Sequence, residues 1–177
     1  MIDWEAEIET AALVHSRIEE LDSRRLWQRH LPNVGAKPHE IAAAEASIGF
    51  GLDRNYRSFL EKADGWSCFY QYVDLLGTSA LRGEPPMDVV RRQLGAIGPD
   101  AFRDLVGTDV SDVLPIGGSS VQRDMFFLVR PSVPGSGNIV WLSGGVVDRF
   151  STFTEFFLSM VDYNRHEVDD LLREASS

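Results

Sequence analysis

The residues able to do covalent or metal chemistry are few and scattered. His15, His30, His39 and His166 form no HExxH pair, and Cys68 is the single cysteine. Neither a Cys/His zinc spacing nor an internal disulfide framework can be built from that set. His15 falls in helical register with apolar residues and reads as a hydrogen-bonded core histidine, because a metal site needs partners that the sequence does not supply. Gly65-Trp66-Ser67-Cys68-Phe69 approaches a nucleophile elbow, but Phe69 stands where the second glycine belongs. A turn into a strand is the expectation there. A hydrolase using Ser67 or Cys68 would need a base nitrogen within hydrogen-bond reach. A reactive Cys68 thiolate would need a cation beside it; the nearest basic residue in sequence is Lys62, so a buried, inert thiol is expected. Gly117-Gly118-Ser119-Ser120 lacks the Gly-Lys-[ST] of a phosphate loop and reads as a flexible turn. Asp109, Asp112 and Asp124 could meet at a cation, although loop capping explains the first two equally well. No cofactor and no metal are expected.

Binding chemistry is better represented. Trp66, Tyr70 and Tyr72 lie within a few residues of one another, and Asp64 and Asp74 flank them. Tyr and Trp are the types that most often anchor protein interfaces, while strand alternation lets only one face of such a segment reach solvent. Phe69 and at least one of the tyrosines are expected inside. Asp64, Trp66, Tyr70, Tyr72 and Asp74, with Asp124 at the head of a later aromatic strand, are the candidate partner-binding residues. The chain carries 27 acidic against 17 basic residues, a net charge of −10. Broad nucleic-acid binding, which rests on Lys and Arg neutralising phosphates, is therefore not expected; a protein partner with a basic surface is. MIDWEAEIE carries four acids and no base, unlike a signal or transit peptide, and no apolar run is long enough to span a bilayer. A cytoplasmic location without membrane association is expected. The oligomeric state is not written in the sequence.

These residues need elements to hold them. At 177 residues, 44% of them hydrophobic, the chain can bury a full core, and one domain over residues 1–177 is expected. Trp4, Ile8, Ala11, His15 and Ile18 recur at helical spacing, with acids in the first turns. A short second helix is expected to hold Leu26, Trp27 and Leu31 and to stop before Pro32. Residues 37–48 form the next helix, closed by Gly49. Asp53 caps another, with Tyr56, Phe59, Leu60 and Ala63 on its apolar face and Asp64-Gly65 ending it. Residues 66–76 read as a strand pair or a strand plus loop. Short helices follow around Met87–Leu94 and after Pro99. Strands are expected at 113–116, 124–130, 138–142 and 146–150, with a Ser143-Gly144-Gly145 hairpin. The 124–130 strand is apolar on both faces, which predicts a central strand covered on both sides. Thr152 and Glu155 open a closing helix as a capping box, with Phe153, Phe156, Phe157, Met160 and Val161 on its inner face. The class is α+β: a mainly antiparallel sheet packed with N-terminal helices and a C-terminal helix.

Three of these stretches, taken in order, resemble a known family. The run IAAAEASIGFGLDRNYRSFLEKADGW resembles the signature of the SUKH superfamily, with Glu45, Ile48, Gly49, Leu52, Tyr56, Phe59, Leu60 and Gly65 on its positions. VLPIGGSSVQRDMFFLV resembles the family's Leu-Pro-Ile-Gly strand entry, and RFSTFTEFFLSMV its closing helix, with Thr152 where Ser is usual. Asp53 replaces the usual Pro and Asp64 the usual Asn, changes that a helix entry and a turn tolerate. The resemblance implies a SUKH-like α+β core over about 37–161 with helical extensions at both ends. It also implies a cytoplasmic interaction module, with no catalytic residues to carry over. Many members resemble immunity proteins that bind and neutralise a cognate toxin, often a nuclease; others resemble scaffolds and regulators. The expected function is a non-enzymatic binding protein of the immunity kind. A scaffold or regulator of the same fold is the alternative, and a Ser/Cys hydrolase is a third reading.

Overall fold

The computed structural model describes residues 2–26, 28–131 and 133–176. Helix α1 (Trp4–Leu21) is opened by Asp3, whose carboxylate accepts from the Ala6 amide, and it buries the apolar stripe read from sequence together with His15. Residues 22–26 and 28–37 contain no helix, which corrects the expected second helix over Leu26 and Leu31; Trp27 lies outside the described residues. Leu31 is 75% exposed. The backbone here makes tertiary hydrogen bonds in place of helical ones, among them His30 O with Trp66 Nε1 and the Asn33 amide with Gly65 O.

Helix α2 (Pro38–Ile48) ends on Gly49, which is left-handed at φ 82°. The turn that follows is held by Glu45, whose carboxylate accepts from the Leu52 amide and from Arg57 Nη1, each at 3.0 Å. Asp53 caps α3 (Arg54–Leu60) by accepting from the Asn55 and Tyr56 amides. Strands β1 (Trp66–Tyr70) and β2 (Val73–Leu75) resolve the open reading of this segment as a strand pair. Helix α4 (Thr78–Leu81) was not foreseen. It has four residues, and Asp64, distant in sequence, holds its first amide and hydroxyl. Helices α5 (Met87–Ile97) and α6 (Pro99–Val106) then lead into strands β3 (Val113–Gly118), β4 (Asp124–Val129), β5 (Ile139–Ser143) and β6 (Val146–Phe150), and α7 (Phe153–Ala175) closes the chain.

The six strands pair in sequence order, every pair antiparallel. Gly117 and Gly118 belong to β3, which corrects their reading as a flexible turn. Gly118 pairs with both Asp74 and Met125, and a Cβ on either glycine would collide, with the Phe126 ring at Gly117 and with Val90 at Gly118. Their lack of side chains lets neighbouring groups approach the sheet.

Helices cover both faces of the sheet. On one face Phe126, Leu128, Ile139 and Trp141 join the main apolar core with α1, α2, α3 and α7. On the other, Met125, Phe127, Val129, Val140 and Leu142 pack with Val90 of α5 and Phe102 and Val106 of α6. The strand covered on both sides is thus β4, as its composition predicts. Phe127 and Val129 are buried as expected but lie away from Tyr56 and Phe153, because alternation turns Phe126 and Leu128 toward the α3–α7 core. Helix α7 opens with Thr152 Oγ1 accepting from the Glu155 amide, while Glu155 reaches back to the Ser151 amide, one residue before the expected partner. It lies along α1 in parallel, with Trp4 against Phe157, His15 against Asn164 and Arg24 paired to Glu174.

Candidate functional site

The candidate partner-binding residues separate into three groups. Asp64, Trp66 and Tyr72 face the connection between α1 and α2. Besides gripping Thr78, Asp64 accepts from Asn33 Nδ2 through its backbone oxygen. Trp66 is 1% exposed, packs at a tilt against the His15 ring and donates to His30 O at 2.7 Å. Half-buried Tyr72 donates to Leu26 O. Asp74 forms the second group alone. Its carboxylate accepts from the Cys68 amide at 2.8 Å and steadies a bulge in β1 where Cys68 is left-handed at φ 52°.

Tyr70 and Asp124 form the third group, and the fold brings them together with residues that sequence distance had hidden. Tyr70 at the end of β1, Trp141 in β5 and Tyr163 in α7 are mutually edge-on, with ring centroids 5.2, 5.3 and 6.3 Å apart. Trp141 is buried and donates to Asp124 Oδ1 at 2.7 Å; Tyr163 is 36% exposed and donates to Asp148 Oδ2 at 3.3 Å. Asp148 pairs directly with Trp141 across β5 and β6, so it emerges on the same face. Burial, with Asp124, Glu167 and Tyr163 nearby, pushes the Tyr70 phenol up to about 12. Burial and Asp148 likewise raise Tyr163. Both phenols therefore stay protonated donors. The result is a patch of half-exposed tyrosines with carboxylates on its rim, suited to a cationic side chain that stacks on a ring while a carboxylate takes its charge. Sequence reasoning missed Trp141, Asp148 and Tyr163; the available signal was Tyr163 standing off the apolar stripe of a closing helix.

Elsewhere the chemistry is muted. Cys68 does gain a cation, Arg29, through the fold, yet burial and the neighbouring Asp74 raise its thiol above the ordinary value. His15 contacts the Trp66 and Phe69 rings and Asn164. Among the described residues no histidine nitrogen is hydrogen-bonded to Ser67 or Cys68. Asp109 pairs with Arg103 and Asp124 with Trp141, and among the described residues no group of three His, Cys, Asp or Glu is placed to hold a metal ion. Among the described residues, no helix is long and apolar enough to cross a membrane. Compared with models of known protein families the chain matches none, and comparison with curated proteins likewise gives no match.

Proposed function

We propose that this chain is a non-enzymatic protein-binding module with a SUKH-like core, acting as an immunity protein that binds and neutralises a toxin domain with a basic surface, a nuclease being one such domain. The observation that carries this reading is the patch of Tyr70 and Tyr163 rimmed by Asp124 and Asp148. Aromatic anchors with a carboxylate rim complement the cationic cleft in which a nuclease handles phosphates. The net charge of −10 supports the same partner through long-range attraction. The three stretches that resemble the family contribute most of α2, α3, β3–β4 and the start of α7 to this architecture.

Co-expression with the toxin-like open reading frame beside the native gene tests the proposal. A stable complex and rescue of growth are expected. Tyr163→Ala should speed dissociation, with some fall in melting temperature because the partly exposed ring also packs on Trp141. Absence of a complex, or a complex indifferent to Tyr163→Ala and Asp148→Asn together, overturns the assignment of this patch.

A further inference from the structure

Residues 28–37 carry neither helix nor strand, yet their backbone is tied to the body of the fold. Trp66 Nε1 donates to His30 O, the Asn33 amide to Gly65 O, Asn33 Nδ2 to Asp64 O, and the Ala36 amide to Leu60 O at 2.8 Å. Gly35 lies so close to the end of α3 that a Cβ would collide with the Glu61 carbonyl. A segment held by four hydrogen bonds at His30, Asn33 and Ala36 presents its remaining side chains in fixed directions. Two of these are apolar and point to water: Leu31 is 75% exposed and Val34 92%. Single exposed apolar residues are ordinary. These two instead border one shallow, open groove together with Ala12 and Pro32, edged by Glu5, Glu9, Glu61 and Lys62. Lys62 is paired to Glu5 and Arg57 to Glu61, while Glu9 has no ion pair among the described residues. The groove thus joins apolar contact area to negative charge.

We infer that this groove is a second docking surface, for a basic partner segment that sets an apolar side chain against Leu31 and Val34 and a Lys or Arg near Glu9. Charge complementarity selects that occupant. A second copy of this chain would bring two acidic rims together on molecules already carrying −10 each. The pinned backbone lowers the ordering cost that a loose loop would pay on binding. Asp64 and Trp66 then act as positioning residues for the groove. The inference is independent of the tyrosine patch.

The test titrates the isotope-labelled full chain with a short amphipathic helical peptide of leucine and lysine, and with a matched leucine–glutamate peptide. Saturable amide shifts over residues 31–35 and the first turns of α1 are expected with the first peptide only. Leu31→Ser with Val34→Ser should leave the melting temperature unchanged and weaken binding roughly tenfold or more. Trp66→Phe, which removes the bond to His30 and keeps a ring, should weaken binding with both apolar side chains still present. Equal binding by the double variant overturns the inference, as does the absence of shifts or shifts confined to Tyr70 and Tyr163. Self-association abolished by the same double substitution overturns it in favour of a second copy. Any of these leaves the tyrosine patch to be judged by its own variants.

Discussion

His15 shows how one buried polar side chain sets a stability profile. It is 3% exposed, with Nε2 facing Asn164 Nδ2 at 3.2 Å, and Asn164 also donates to Phe69 O. Burial, reinforced by the Arg29 charge, lowers its pKa from 6.5 to about 4. The unfolded chain therefore takes up the proton first. This contribution is fully present above pH 6.5 and is lost as pH falls toward 4, about 3 kcal/mol in all. Denaturant unfolding at stepped pH should show that fall, and His15→Leu should flatten it within the same window. Asp74 makes a second residue-scale case. Removing its carboxylate as Ala strands the buried Cys68 amide and should cost about 1–3 kcal/mol in the absence of any partner. A loss of binding without that loss of stability would instead place Asp74 at an interface. The sequence identified His15 as a core histidine from its helical register; Asn164 lies on α7, and only packing brings it there.

The helices illustrate which elements a local pattern specifies. The apolar face of α3 was legible because Tyr56, Phe59 and Leu60 repeat at helical spacing beside a capping Asp53. Phe59 is fully buried among Trp4, Phe153 and Phe157. Phe59→Ala should cost about 3–5 kcal/mol in equilibrium unfolding, and a cost below about 1 kcal/mol would mean the ring is not in the core. The connection between α1 and α2 was not legible. Its backbone partners come from α3 and β1, and Arg29 reaches Glu167 of α7 at 3.4 Å with its side chain only 3% exposed. Glu167→Gln should destabilise by about 3–5 kcal/mol, since it takes away the carboxylate paired with a buried guanidinium; Arg29→Met should also destabilise, because it leaves the Glu167 carboxylate, 17% exposed, and buried Asp22 without that cation, and the double replacement of Arg29 and Glu167 by apolar residues should cost less than either single change. Thermal denaturation of the single and double variants side by side gives the order.

At the scale of the molecule, charge governs how a partner is met and aromatic contact governs how long it is held. With −10 net charge, association with a basic partner should slow as salt rises, because the screening length is about 8 Å at physiological ionic strength. Asp148→Asn should lower the association rate and its salt dependence. Tyr70→Ala should speed dissociation by about 2 kcal/mol or more if the ring is an anchor, and should also lower the melting temperature because Tyr70 packs on Trp141. Stopped-flow and melting measurements on the same variants separate these effects.

The sequence by itself determined the α+β class, the helical stripes, the strands and hairpin from β4 to β6, and the double cover of β4. Each of these is written in spacings of two or three to four residues and in local caps, which act over a few residues. Tertiary structure decided the partnerships. It placed Gly117 and Gly118 inside a strand because neighbouring groups press close on both sides, and it extended Asp64 across to cap α4. It fixed the connection after α1 in an irregular path, since hydrogen bonds to Trp66, Gly65 and Leu60 replaced those of a helix. It also divided the candidate binding residues, burying Trp66 and joining Tyr70 and Asp124 to Tyr163 and Asp148. Those contacts span from about 15 to 93 residues of chain, and no local pattern encodes which distant side chains a sheet and a closing helix will bring to one face.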